Sequence, residues 1–80
     1  MRWILELKKA MKLNKFEVEA MKRTLTQVYW MIAGKDYEFS FNVKSYERRE
    51  VELVFRWNET ILFVVVKPWK ILSKKLVKWN

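Results

Sequence analysis

The chain has no cysteine and no histidine, and only one glycine and one proline in 80 residues. Without thiols there is neither a disulfide framework nor a thiolate zinc site, a composition that fits a reducing compartment. Without imidazole the commonest general acid–base group at neutral pH is missing, and nucleophilic catalysis would need a Ser, Thr or Lys beside an activating base. The nine carboxylates supply no such base. Glu17 suits a helix cap and Glu19 pairs with Arg23 at i,i+4, while Glu6, Asp36, Glu38, Glu47, Glu50, Glu52 and Glu59 mostly alternate with basic or apolar residues. No glycine-rich phosphate loop and no metal-ligand spacing is present, so the expectation is a non-enzymatic protein with no cofactor and no metal.

Long apolar runs are also lacking. The longest, Ile61 to Val66, has six residues, where a membrane span needs roughly 18. Glu6 falls where a secretory signal would place its apolar stretch, and the expected location is cytoplasmic. Scarce glycine and proline beside five Trp, five Phe and three Tyr exclude a disordered chain and predict one small basic α+β domain over residues 1–80.

The net charge is +8 and it is concentrated at the two ends. Residues 2–15 carry Arg2, Lys8, Lys9, Lys12 and Lys15 against Glu6 alone, and residues 60–80 carry Lys67, Lys70, Lys74, Lys75 and Lys78 with no acid. The segment between them sums to −1. Clustered Lys and Arg focus a positive potential that mixed charge does not, which points to a polyanionic partner.

The clearest local signal is a capping box, Asn14 with Glu17, which predicts a helix over residues 15–33. Leu13 and Val18 are placed to form a hydrophobic staple, and Gly34 supplies the left-handed residue that ends the helix. Tyr37, Phe39, Phe41 and Val43, then Val51, Leu53, Phe55 and Trp57, alternate with mostly polar residues and predict two half-buried strands joined by the loop 46–50. A two-residue turn at Asn58-Glu59 would pair Trp57 with Thr60 and set Phe55, Leu53 and Val51 opposite Leu62, Val64 and Val66. Pro68 closes that third strand, after which Trp69, Leu72, Leu76 and Trp79 recur at helical spacing with Lys70, Lys74 and Lys78 on another face. The first dozen residues fit a strand through Trp3, Leu5 and Leu7 or a helix through Trp3, Leu7 and Met11. A strand at 2–8 is favoured, because a third strand apolar on both faces needs neighbours on both edges. The expected order is therefore β-α-β-β-β-α, an antiparallel sheet packed by one long helix, with a short basic helix last.

Within that last segment Ser73-Lys74-Lys75-Leu76-Val77-Lys78 resembles the Lys-Lys-x-Ala-Lys element of double-stranded RNA-binding domains, and the order helix, three strands, helix from Asn14 onward is similar to theirs. The resemblance implies lysines that bridge phosphates across the major groove. Val77 stands where the family has Ala, and no Gly-Pro-x-His-like loop joins the first two meander strands, so membership is not assigned.

Two sets of candidate binding residues follow. Lys8, Lys9, Lys12, Lys70, Lys74, Lys75 and Lys78 are the expected phosphate contacts of a nucleic-acid-binding module. Phe16, Trp30 and Met31 lie opposite the helix stripe Val18, Met21, Leu25, Val28 and Ile32, and Ile61 and Phe63 lie with Val54 and Val65 on the second face of the sheet. These are candidate partner-interface residues, either for a second subunit or for an acidic protein that this chain would dock as a small regulatory subunit or inhibitor. Residues 3–13 folding over the Phe16 and Trp30 side of the helix is the alternative cover there, and the C-terminal helix is the alternative cover for the second face of the sheet. Trp57 is expected in the core, and Trp69 and Trp79 either there or at its rim. A peripheral membrane contact through the Trp- and Lys-rich C-terminal helix is a third reading.

Overall fold

The computed structural model describes residues 3–78. Two helices, α1 (Trp3–Met11) and α2 (Lys15–Ile32), precede an antiparallel meander of four strands, β1 (Glu38–Ser45), β2 (Glu50–Trp57), β3 (Thr60–Lys67) and β4 (Lys70–Lys78), in the order β1-β2-β3-β4. The class is α+β. Both ends of the chain depart from the expected order: the N-terminal segment is a helix and the C-terminal segment is a strand.

One observation accounts for both departures. β3 is apolar on both faces and does have a strand on each side, but its second neighbour is the C-terminal segment, with Lys67 paired to Lys70 across a two-residue turn at Pro68-Trp69. That ladder pairs the second edge of β3 from Thr60 to Lys67, with one irregularity at Val65 and Val66, where a C-terminal helix would have left the edge open. No sheet edge beside β3 remains for residues 2–8. They take the helical alternative, burying Trp3, Ile4, Leu7 and Met11 on one stripe and leaving Leu5 64% exposed. Arg2, in the expected strand, and Trp79, in the expected helix, lie outside the described residues.

The corner between the helices is built from three consecutive residues. The Leu13 N–H donates to the Lys8 carbonyl at 3.1 Å and the Lys12 N–H to the Lys9 carbonyl at 3.4 Å, with Lys12 left-handed at φ 53°. This is a Schellman cap with Lys where glycine is usual. Asn14 then starts α2: its side chain accepts from the Glu17 N–H at 2.8 Å, and Glu17 Oε1 accepts from the Asn14 N–H at 3.0 Å. Buried Leu13 ends one cap and precedes the next. At its other end α2 stops at Ile32, and Ala33-Gly34 form a type II turn, with φ −58° and ψ 133° at Ala33, φ +77° at Gly34, and the Lys35 N–H bonded to the Ile32 carbonyl at 3.0 Å.

Two long-range contacts fix α2 to one end of the sheet. Arg49 Nε donates to Glu17 Oε2 at 2.8 Å, bringing the β1–β2 loop to the helix N-terminus. Thr24 Oγ1 donates to the Pro68 carbonyl at 2.7 Å, bringing the β3–β4 turn to its second turn and a half. The core lies between the layers. Met21, Leu25, Val28 and Ile32 of α2, with the α1 stripe, bury Val51, Leu53, Phe55, Leu62, Val64 and Val66. The β2–β3 register is Phe55 to Leu62, Leu53 to Val64 and Val51 to Val66, with Trp57 opposite Thr60, as the two-residue turn requires. Trp3 stacks on Phe39 at 4.6 Å and meets Phe55 edge-on at 5.8 Å, so α1 lies on the β1–β2 side.

Candidate binding surfaces

The lysines expected to act together are on two separate surfaces. Lys8 and Lys9 are exposed on α1 and Lys12 at its cap, and both ends of that helix are held on the β1–β2 side, through Trp3 at one and the Glu17–Arg49 pair beyond the corner at the other. Lys70, Lys74, Lys75 and Lys78 are on β4, the opposite edge of the sheet. No strand at residues 2–8 carries the first group to the second.

β4 distributes its lysines differently from a helix. Lys74 pairs with Val64 and Lys78 with Thr60, which places both on the helix side of the sheet. Lys75 pairs with Phe63 and Lys70 with Lys67, on the outer side. The change of side for Lys70 comes from a register shift opposite Val65 and Val66, which leaves Leu72 as an extra residue. All four lysines are exposed, and none forms an ion pair among the described residues. The helices reach the start of this strand's inner side, where Ile71 packs against the core, and do not extend over its C-terminal part: Leu76, opposite buried Leu62, is 56% exposed. The resemblance to double-stranded RNA-binding domains loses its basis here, because the lysine element is an edge strand where the family has a helix.

The aromatic anchors are dispersed. Phe16 is 84% and Trp30 75% exposed, about 21 Å apart along the helix axis at 1.5 Å per residue, while Met31 is half-buried against the core. Residues 3–13 do not cover this side of α2. Trp69 takes part of that role: it borders an open hollow with Ala20, Arg23, Thr24 and Gln27, and Lys67 Nζ sits 5.6 Å from its ring centre. Trp57 is half-buried beside the core. Ile61 and Phe63 are half-buried on the outer face with Val54, Val65 and Val77, and no C-terminal helix covers them.

Arg49 was not singled out from the sequence. Its guanidinium joins Glu17 and the Tyr46 carbonyl, and its backbone is left-handed at φ 56°. The bond from the Asn14 backbone N–H and then the Arg49 guanidinium hold the Glu17 carboxyl below the usual carboxylate range, against desolvation acting the other way. Among the described residues no group of three His, Cys, Asp or Glu side chains could hold a metal ion, and no helix is long and apolar enough to cross a membrane. The amphipathic helix on which the membrane reading relied is absent, since its residues form β4. No family model, no curated protein and no solved structure matches the chain.

Proposed function

We propose that this chain is a non-enzymatic binding module that engages nucleic-acid phosphates along the β4 edge. The observation that supports it is the set of four exposed lysines, Lys70, Lys74, Lys75 and Lys78, on one terminal strand that carries no acid of its own. Glu59 borders the same hollow as Lys78 and Glu52 the same as Lys75, but none of the four is in an ion pair among the described residues. A strand rising about 3.3 Å per residue spreads them over about 26 Å, the length of seven or eight phosphates along one strand of a duplex. Contacts of this kind need only positive charge and reach, and give affinity without base specificity. Lys8, Lys9 and Lys12 form a second, separate basic patch that a long polyanion reaches only by passing around the molecule.

Lysines on an edge strand have another use, since they discourage pairing with a second sheet edge. The experiment separates the two. Replacing Lys70, Lys74, Lys75 and Lys78 by Gln should flatten the slope of log affinity against log salt for generic duplex and single-stranded probes by about 3 units, with the melting temperature nearly unchanged. Unchanged affinity together with new aggregation would assign the lysines to edge protection and refute the reading. Binding to a polyglutamate probe as tight as to nucleic acid would favour an acidic protein as the partner.

A further inference from the structure

The sheet face turned away from the helices is apolar along its midline, and among the described residues nothing covers it. Register fixes its rows: Ser40, Val54, Phe63 and Lys75 lie side by side across the four strands, flanked by Asn42, Glu52, Val65 and Ser73 on one side and Glu38, Arg56, Ile61 and Val77 on the other. Val54, Ile61, Phe63, Val65 and Val77 are all half-buried by their own neighbours and otherwise open. An open depression bordered by Lys44, Glu52, Phe63, Val65, Ser73 and Lys75 runs between them.

We propose that a second copy of this chain packs on this face, sheet against sheet, about a two-fold axis parallel to the strands between β2 and β3. The apolar midline is self-complementary under that operation. Val54 and Phe63 are register partners on either side of the axis, so Phe63 of each copy comes over Val54 of the other. Charge selects the same axis. The carboxylates of this face, Glu38, Glu50 and Glu52, are all on β1 and β2, where Lys44 and Arg56 offset two of them, whereas β3 and β4 contribute Lys67, Lys70 and Lys75 and no acid. The operation lays β4 of one copy over β1 of its partner and β3 over β2, so the half with net charge +3 meets the half with net charge −1. A two-fold axis across the strands would stack β4 on β4, lysine over lysine, at the roughly 10 Å spacing of packed sheets.

The area is small but sufficient. Four strands about 4.8 Å apart and about 26 Å long give roughly 500 Å² per copy, near 1,000 Å² in total, at the lower limit for a specific interface. A dimer of micromolar strength fits that size. Lys74 and Lys78 stay on the helix side of each copy and remain open to phosphates in the dimer, whereas Lys70 and Lys75 lie on the face that the dimer covers.

Sedimentation equilibrium across the micromolar to millimolar range tests the proposal. The unsubstituted chain should show a reversible monomer–dimer equilibrium, Phe63→Thr should weaken it at least tenfold, and Lys75→Glu should weaken it with a loss of its salt dependence. Val54→Thr, which keeps the side-chain shape and strand preference, should weaken association severalfold and stands in should Phe63→Thr fail to fold. Trp30→Asp should leave the dimer unchanged. A chain monomeric throughout, or a Phe63→Thr or Val54→Thr protein that associates like the unsubstituted one, would overturn the proposal. So would a dimer lost on Trp30→Asp and kept on Phe63→Thr, which would move the interface to α2.

Discussion

Thr24 and Pro68 are 44 residues apart in the chain, and the Thr24 hydroxyl donates to the Pro68 carbonyl at 2.7 Å in a site from which water is excluded. This bond holds the β3–β4 turn against α2, and with it the root of the lysine-bearing strand. Thr24→Val keeps the shape of the side chain and removes the donor, leaving a carbonyl without its partner. The expected loss is about 1–2 kcal/mol in denaturant unfolding, with Thr24→Ser losing less. A loss for Thr24→Ser with none for Thr24→Val would mean that the methyl group, not the hydroxyl, is what matters.

Lys12 occupies the left-handed position of the α1 cap, where a side chain costs energy that glycine avoids. Lys12→Gly should raise stability by about 0.5–1 kcal/mol, despite glycine's greater freedom in the unfolded chain. A destabilised Lys12→Gly protein would show that the corner does not need the left-handed backbone. At Gly34 the reverse substitution is unfavourable: a Cβ there meets nothing within 4 Å, so Gly34→Ala should cost about 1 kcal/mol through its positive φ alone.

Glu17 links the cap of α2 to Arg49. Its carboxyl is held below the ordinary range in the folded protein, so its contribution is present above the unfolded value and is lost as pH falls through the lower, folded value. Glu17→Gln should therefore cost about 1 kcal/mol near neutral pH, with the difference from the unsubstituted protein shrinking below about pH 4.5. Urea melts at several pH values read this directly. A pH-independent difference would place the cost in packing. Asn14→Ala, which removes the other half of the box, should cost about 1 kcal/mol at every pH where Arg49 still holds Glu17.

Exposed Phe16 and Trp30 are not needed to fill the core. Phe16→Ser and Trp30→Ser should each change the melting free energy by less than about 0.5 kcal/mol. A larger loss at Trp30 would indicate an intramolecular cover on that side of α2.

Local patterns carried the centre of the chain and failed at its ends. The Asn14–Glu17 box and the pairing of Phe55 with Leu62 are set by spacings of three residues and of two, and both are legible without knowing the rest of the fold. Residues 3–11 were ambiguous because Trp3 and Leu7 belong to both a strand face and a helix face. What decided between them was the identity of β3's second neighbour, 60 residues away. The spacing of four between Lys70, Lys74 and Lys78 is even, so it suits a strand as well as a helix, and the extra residue at Leu72 has no local mark. The Glu17–Arg49 pair spans 32 residues and leaves no pattern in either neighbourhood. A signal at Lys12 was available: a cap at Asn14 immediately after a possible helix ending at Met11 requires the chain to reverse there.

The order of the elements has a consequence for synthesis. Both helices leave the ribosome before any strand, and the stripe Met21, Leu25, Val28 and Ile32 has no partner until Val51, Leu53 and Phe55 follow. At 5–20 residues per second that gap of about 20 residues lasts roughly one to four seconds, against about 1–10 μs for a hairpin to close once its residues are free. The nascent helix pair is thus apolar and uncovered for a time set by translation and not by folding. Pausing synthesis when α2 has left the ribosome and Phe55 has not should lower the yield of folded protein, and pausing it once Lys67 has emerged should not.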